Sequence, residues 1–213
     1  LCGDAQIGIE AGVWAVFKFG DKNLEGTSGD KVALINADYL VGVPLTYAAG
    51  NYSFRLRPYH ISSHLGDEFL CHMEAPADFR VNPSREAIDF FTSYQLSEAL
   101  RLYAGIGYNF HSNMTFPIKP WYVEYGGELR LLGHRNLFYC LYVQPFFAFY
   151  IRNWQDTNWE FDGTYLLGFE ASKLQGLGRK MRIYLEWHDG FCFEGQFSKL
   201  RDHYFAACLA YGF

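Results

Sequence analysis

The sequence predicts an all-β fold: a closed antiparallel up-and-down transmembrane β-barrel of about ten strands, forming a single domain over residues 1–213. Three observations support this prediction. Apolar and polar residues alternate almost throughout, the connections alternate between short and long, and 19% of the 213 residues are aromatic. Aromatic residues favour strands over helices. If N-terminal sequence is missing from the chain, the strand count would rise to about twelve.

Alternation with a period of two residues defines ten segments, since successive side chains of a strand point to opposite faces. In chain order, the segments are residues 6–18, 33–47, 52–57, 85–96, 100–111, 121–131, 137–152, 162–172, 181–188 and 205–213. In the fifth segment, Phe110 falls on the apolar face and His111 on the polar face with Asn109.

The connections between these segments give an independent signal. Short ones follow the second, fourth, sixth and eighth segments, at residues 48–51, 97–99, 133–136 and 175–178. Longer, more polar ones follow the odd-numbered segments. Short turns on one rim and long loops on the other are typical of bacterial outer-membrane barrels. We therefore expect an integral protein of a Gram-negative outer membrane, with periplasmic termini and extracellular long loops.

The charged residues distinguish this prediction from a soluble β-protein whose apolar face forms a core, which is the alternative. Arg, Glu, Asp and Lys recur in mid-strand on the polar face, as expected for a hydrated or ion-paired lumen. A ten-stranded lumen is narrow, so a wide pore is not expected. The bulky residues expected to fill it are Trp14, Tyr103, Tyr122, Phe146 and Tyr150.

Composition and the last segment indicate the partners. The net charge of −5 offers no basic surface for nucleic acid. Residues 204–213, ending at Phe213, resemble the assembly signal of outer-membrane barrels, which implies the barrel-assembly machinery as a partner. Outer-membrane lipid or lipopolysaccharide is the other expected partner. No cofactor and no metal are expected.

Residues 57–68 form the densest polar string, at the loop-side end of the third segment. If the strand continues, His60, Ser62 and His64 lie on one face and Tyr59 and Ser63 on the other. Ser, His and a carboxylate within reach of one another could build an acyl-transfer site. The candidate catalytic residues are His60, Ser62, Ser63, His64, Asp67, Glu68, His188 and Asp189. The candidate binding residues are Arg57, Tyr59, Arg85, Glu86 and Gln196.

The favoured alternative is that these rim residues clamp the extracellular loops together through hydrogen bonds and ion pairs. A metal site at His60, His64 and Asp67 is less favoured, because their spacing is not diagnostic of one. Cys71 and Cys192 both fall in loop-side connections, so they are candidates for a disulfide across the rim.

Several strings resemble a family of uncharacterised bacterial proteins, the domain of unknown function numbered 1207. They are Tyr59-His60-x-Ser62-Ser63-His64-Leu65-Gly66-Asp67-Glu68, Asn82-x-Ser84-Arg85-Glu86, Arg101-Leu102-Tyr103-Ala104-Gly105 and Gly195-Gln196-Phe197. The resemblance implies an outer-membrane location without an established activity. It also implies that the string from His60 to Glu68 and Gln196 belong to one feature.

Three functions are consistent with these observations. The first is a structural or binding barrel that acts through its long extracellular loops. The alternative is a rim hydrolase acting on lipid or peptide with the cluster from His60 to Glu68. The third is a narrow channel for small solutes, which bulky lumen residues oppose.

Overall fold

A computed structural model describes residues 2–19, 32–72, 81–131, 141–173 and 179–212. They form one antiparallel sheet of twelve strands, so the all-β antiparallel prediction is confirmed. The strands are β1 (Asp4–Ile7), β2 (Glu10–Phe19), β3 (Val32–Gly42), β4 (Leu45–Ala49), β5 (Tyr52–Leu65), β6 (Arg85–Gln95), β7 (Leu100–Ser112), β8 (Trp121–Arg130), β9 (Tyr142–Trp154), β10 (Asp162–Ser172), β11 (Lys180–Phe191) and β12 (Arg201–Gly212). A short helix, α1 (Asp67–His72), follows β5, and single 3₁₀ turns lie at Gln155–Thr157 and Gly195–Phe197.

The first two predicted strands are each divided in two, so the sheet has twelve strands instead of about ten. β3 and β4 pair with successive parts of β5, while β2 pairs with β3 and β1 with β4. The break between β3 and β4 falls at Pro44, which has no N–H to donate to a ladder. Its carbonyl instead accepts a hydrogen bond from Gly8 N at 3.1 Å, within the matching break of the neighbouring strand.

The sheet is strongly curled. This is shown by side chains that meet across strands that are not neighbours. The hydroxyls of Tyr59 on β5 and Tyr122 on β8 lie 2.9 Å apart. Within the described ranges, however, β12 pairs with β11, and no ladder joins it to β1 or β2. The predicted closure is therefore not observed among these strands.

The two faces of the sheet differ sharply in chemistry. The concave face buries charged side chains, such as Asp89 at 1% and Glu170 at 2% exposure. The convex face exposes large apolar ones, such as Phe205 at 71% and Leu209 at 72%. The alternation in the sequence thus corresponds to an apolar exterior and a polar interior. None of the helices in the described ranges is long and apolar enough to cross a membrane.

One residue lies on a different face from the one that strict alternation predicts. Glu86 pairs with His111 but the next residue, Ala87, pairs with Asn109, so Phe110 forms a β-bulge. A bulge inserts one residue and reverses the facing of those beyond it. His111 therefore lies on the convex face with Phe110, and its predicted position on the polar face was wrong.

Some predictions fall on residues that the structure does not describe. They are Phe213, the short connections at 133–136 and 175–178, and the first residues of the seventh segment.

Candidate functional site

β5 continues to Leu65, well beyond the predicted 52–57, and carries the polar string of residues 57–65 within a regular strand. Its side chains therefore alternate between the two faces. Ser63 is 1% exposed on the concave face, whereas His60 and His64 are exposed on the convex face. The sheet thus separates Ser63 from both candidate histidines on the same strand.

Ser63 lies at the centre of a buried hydrogen-bond network. Its hydroxyl donates to Asn36 Oδ1 at 3.0 Å and accepts from Gln196 N at 3.1 Å. The Asn36 side chain donates in turn to Asp38 Oδ1 at 2.8 Å. Asp38 accepts the backbone N–H of Gly195 through its other oxygen at 3.0 Å. These contacts hold the 3₁₀ turn between β11 and β12 against β3 and β5, and we call this network the rim clamp.

The turn approaches β5 closely because it carries a glycine and a long amide. A Cβ on Gly195 would lie 2.6 Å from Ser63 Cβ, so a larger residue would displace the turn. The Gln196 side chain donates to the backbone oxygens of Ser63 at 2.8 Å and Val81 at 3.1 Å. The Ser63 region and Gln196 therefore form a single structural feature.

A second polar group crosses three strands on the convex face. His60 Nδ1 lies 2.9 Å from Glu86 Oε1, and His111 Nδ1 forms a hydrogen bond with Glu86 Oε2. The side chains of His60, Glu86 and His111 are 46%, 35% and 68% exposed, respectively. Ser62 lies on the same face, one side-chain position further along β5 towards the loops. We call His60, Ser62, Glu86 and His111 the outer row.

The remaining candidates of the string are more peripheral. The ring of His64 lies 5.9 Å from that of Tyr39, beyond the outer row on β5. Asp67 begins α1, and the side chain of Glu68 is outside the described part of the structure.

The second predicted group, at the end of β11, is also divided by the sheet. His188 is fully buried, 3.0 Å from Thr164 Oγ1 and 3.1 Å from the carbonyl oxygen of Phe191. Asp189 is about half-exposed and lies 3.5 Å from Arg201. Among the described residues, neither makes a polar contact with the string on β5.

Arg57 and Tyr59, both predicted as binding residues, face the interior. Arg57 pairs with Asp89 on β6 at 2.5 Å and with Glu10 on β2 at 2.9 Å. Its guanidinium also lies 4.8 Å from the centre of the Tyr59 ring. This arrangement satisfies the buried Asp89 carboxylate and links strands that are not adjacent.

Two cavities lie on the concave side, one on either side of the layer that contains Arg57. The loop-side cavity has a volume of about 660 Å³, and the turn-side cavity about 530 Å³. Arg57, Glu124 and Tyr150 line both, so this layer separates them. Trp154 Nε1 donates to Glu124 Oε1 at 3.1 Å.

Arg85 projects into the loop-side cavity and stacks over the ring of Trp154, with its Cζ 4.7 Å from the ring centre. Its Nε is buried and has no hydrogen-bond acceptor among the described residues. Arg152, which lines the same cavity, is neutralised by Asp162 at 2.5 Å. Arg85 is therefore a cation in the cavity without a carboxylate from the described residues to balance it.

Several residues of these sites could not be identified from the sequence. Glu124, Asp89 and Asn36 fall on polar positions within the alternating segments, and alternation indicates their face but not their partners. His111 was missed because a bulge reverses its facing.

Cys192 has a free thiol in the structure. Burial and the nearby carboxylates of Asp202 and Glu194 raise the pKa of this thiol to about 11. The side chain of Cys71 is outside the described residues, so a disulfide between the two remains a prediction without structural support. Among the described residues, no three His, Cys, Asp or Glu side chains are arranged to hold a metal ion.

The fold and sites define a class of protein: a curled antiparallel β-sheet with an ion-paired polar interior, an apolar exterior, and polar clusters at its loop-side rim. The chain belongs to the family described as "Protein of unknown function (DUF1207)", whose model matches residues 1–213. No curated protein and no solved structure matches the chain significantly.

Proposed function

We propose that this protein is an integral outer-membrane β-barrel that binds a ligand in its loop-side cavity. The observation that carries the proposal is the inverted burial of the sheet, with His188 at 0% exposure inside and Ile9 at 86% outside. In water, this arrangement would expose a large continuous apolar surface. In a bilayer, the same surface would contact hydrocarbon and the buried charges would face a polar lumen.

Closure of the sheet is part of this proposal. In hydrocarbon, the N–H and C=O groups of an open edge would lack hydrogen-bond partners, which costs several kcal/mol per group. β12 runs antiparallel to β2, because the ladders between them alternate in direction, so pairing of these edges would complete an antiparallel barrel. Cysteine at Val13 on β2 should form disulfides with cysteines at some positions of β12. A scan of the whole of β12 without a single cross-link would contradict closure.

The interior favours a binding protein over a narrow channel for small solutes. The layer of Arg57, Glu124 and Tyr150 separates the two cavities, and ion pairs hold its arginine in place. We therefore expect no steady conductance in planar bilayers. Steady current from the purified protein would favour the channel.

The chemistry of the loop-side cavity indicates the class of ligand. Arg85 supplies a guanidinium cation that forms no ion pair with a carboxylate of the described residues. This guanidinium stacks on the ring of Trp154. A small organic anion with an apolar part would satisfy both the guanidinium and the aromatic walls. The protein should therefore bind such acids in native mass spectrometry, and Arg85→Gln should weaken binding by roughly tenfold or more.

Lys119→Gln is the matched control, because Lys119 lies at the same rim but forms a hydrogen bond with Asn158 at 3.0 Å. Equal binding by the two variants would contradict the role of Arg85. Membrane location is tested separately by fractionation of cells that express the protein. Recovery in the aqueous fraction without detergent would contradict the barrel proposal.

The partners expected from the sequence fit the same proposal. Lipid or lipopolysaccharide would contact the apolar exterior, and the barrel-assembly machinery would recognise the C-terminal strand. Because Phe213 lies outside the described residues, recognition through it remains a prediction.

A further inference from the structure

We propose that Ser62, His60 and Glu86 form a catalytic triad on the convex face that hydrolyses acyl esters of membrane lipids. The proposal goes beyond ligand binding in the cavity, and its lipid substrate depends on the membrane placement proposed above. It assigns the nucleophile to the serine on the exterior, because the neighbouring Ser63 is buried in the rim clamp.

Glu86 orients His60 as a general base requires. His60 Nδ1 lies 2.9 Å from Glu86 Oε1, and a carboxylate accepts a hydrogen bond from the ring N–H that faces it. Nδ1 therefore carries the hydrogen, and Nε2 presents a lone pair. This is the tautomer that a general base needs, with the carboxylate stabilising the imidazolium that forms.

Ser62 follows His60 by two residues on the same face of β5. Residues two apart in a strand lie on one face with Cα atoms about 6.5–7 Å apart, and strand side chains lean along the strand. An imidazole on His60 can therefore reach towards the hydroxyl of Ser62. That hydroxyl makes no hydrogen bond with another described residue, in contrast to the fully engaged hydroxyl of Ser63.

His111 completes the arrangement as a positioning residue. It bonds the other oxygen of Glu86, so the carboxylate is held from two strands and its orientation towards His60 is fixed. The β-bulge at Phe110 brings His111 to this face. An ordinary ladder would place it in the interior.

The surroundings of the outer row indicate the substrate. Below it on the convex face lie exposed apolar residues of the same strands, which include Leu56, Ile88, Phe90 and Ile106. Above it, the strands end and the long loops begin. The row thus lies at the boundary between an apolar band and a polar rim, where a bilayer places the ester bonds between acyl chains and headgroups.

The reaction requires only water as co-substrate. Ser62 Oγ attacks the ester carbonyl carbon while His60 Nε2 takes the hydroxyl proton. The bond from this carbon to the alkoxy oxygen breaks, and the alcohol leaves with the proton from His60. Water then attacks the acyl-serine, His60 takes its proton and returns it to Ser62 Oγ, and a fatty acid is released.

The test uses the purified full-length chain in detergent with a fluorophosphonate probe, which loses fluoride when a nucleophilic serine bonds its phosphorus. Peptide mapping should place the adduct on Ser62, and the protein should hydrolyse p-nitrophenyl esters. His60→Gln and Glu86→Gln should each lower the rate by roughly 100-fold or more. His203→Gln is the matched control, because His203 is exposed on the same side of the sheet but lies on β12, which pairs with neither β5 nor β6, and it should retain the wild-type rate.

Absence of an adduct on Ser62 in folded wild-type protein would overturn the triad. This assay in detergent does not depend on membrane insertion, so its failure is distinguishable from failure of the barrel proposal. Phospholipid vesicles provide the second assay, in which fatty acid should be released by wild type and not by Ser62→Ala. Cleavage of p-nitrophenyl esters without release of fatty acid from vesicles would overturn the assignment of lipid as substrate.

Discussion

Replacement of Ser63 by alanine should destabilise the protein by removing the centre of the rim clamp. The Ser63 hydroxyl is 1% exposed and makes two hydrogen bonds, one to Asn36 Oδ1 and one from Gln196 N. Alanine leaves the buried Asn36 Oδ1 and the partly buried Gln196 N without a hydrogen-bond partner, at a cost of about 1–3 kcal/mol for each unsatisfied group. Because water can reach the partly buried Gln196 N, we expect a total loss of about 2–4 kcal/mol in the free energy of unfolding, in the lower part of this sum.

Ser62→Ala is the matched control, because Ser62 is adjacent, faces the exterior and makes no hydrogen bond with another described residue. It should change the free energy of unfolding by less than about 0.5 kcal/mol. The assay is reversible guanidinium unfolding in detergent, followed by tryptophan fluorescence. Hydrogen exchange of the Gln196 amide should show whether the loss is local, since a loop can open before the sheet does. Equal unfolding free energies for the two variants would refute the assignment of Ser63 as the centre of the clamp.

Three further outcomes follow from the interior and the rim. Asp89→Asn should cost about 3 kcal/mol in unfolding free energy, because it breaks the ion pair of the buried Asp89 with Arg57 but leaves Arg57 its second pair with Glu10. A denaturation midpoint equal to that of wild type would contradict this. Gly107→Ala should prevent folding or strongly destabilise the protein, because the added Cβ would lie 1.8 Å from the Tyr122 ring. Gly212→Ala is the control, because the space around Gly212 is open, and it should show a normal β-sheet spectrum by circular dichroism. In a variant with no other cysteine, alkylation of Cys192 should be slow at pH 8. Its rate should rise about tenfold per pH unit until the pH nears the thiol pKa of about 11. A rate that levels off near pH 9 would contradict the raised pKa.

The fold could be predicted from the sequence because a sheet with two chemically different faces leaves its period in the chain. In β12, exposed and half-buried residues alternate without exception from Arg201 to Gly212, as the sequence pattern predicts. The division of the second strand depends on Pro44, whose missing N–H interrupts the ladder. The sequence contains that proline, but alternation continues across it, so the two halves were merged into one predicted strand.

The candidate site could be predicted only in part, because its contacts join distant parts of the chain. Gly195 N and Asp38 Oδ2 are 157 residues apart in sequence, and no local pattern connects them. The string around His60 could be found from its composition alone. Which of its residues can act together depends on the face of the sheet on which each side chain lies. The bulge that brings His111 to Glu86 adds one residue to the pairing, and periodicity does not reveal it.

The division of the string between two faces gives each half a different role. The concave half, centred on Ser63, fastens the last turn to β3 and β5 through buried contacts. The convex half, centred on His60 and Glu86, remains exposed. One strand can therefore stabilise the rim and present reactive groups on its exterior, because successive side chains point in opposite directions.

The central claim is that the apolar convex face contacts lipid. It is tested most directly by spin labels placed one at a time along β12 in reconstituted bilayers, with collision rates measured for oxygen and for a water-soluble nickel chelate. Labels at Phe205, Ala207, Leu209 and Tyr211 should show high oxygen and low nickel accessibility. Labels at Ala206, Cys208 and Ala210 should not. Uniform accessibility along β12, or nickel accessibility highest at Leu209, would contradict the claim.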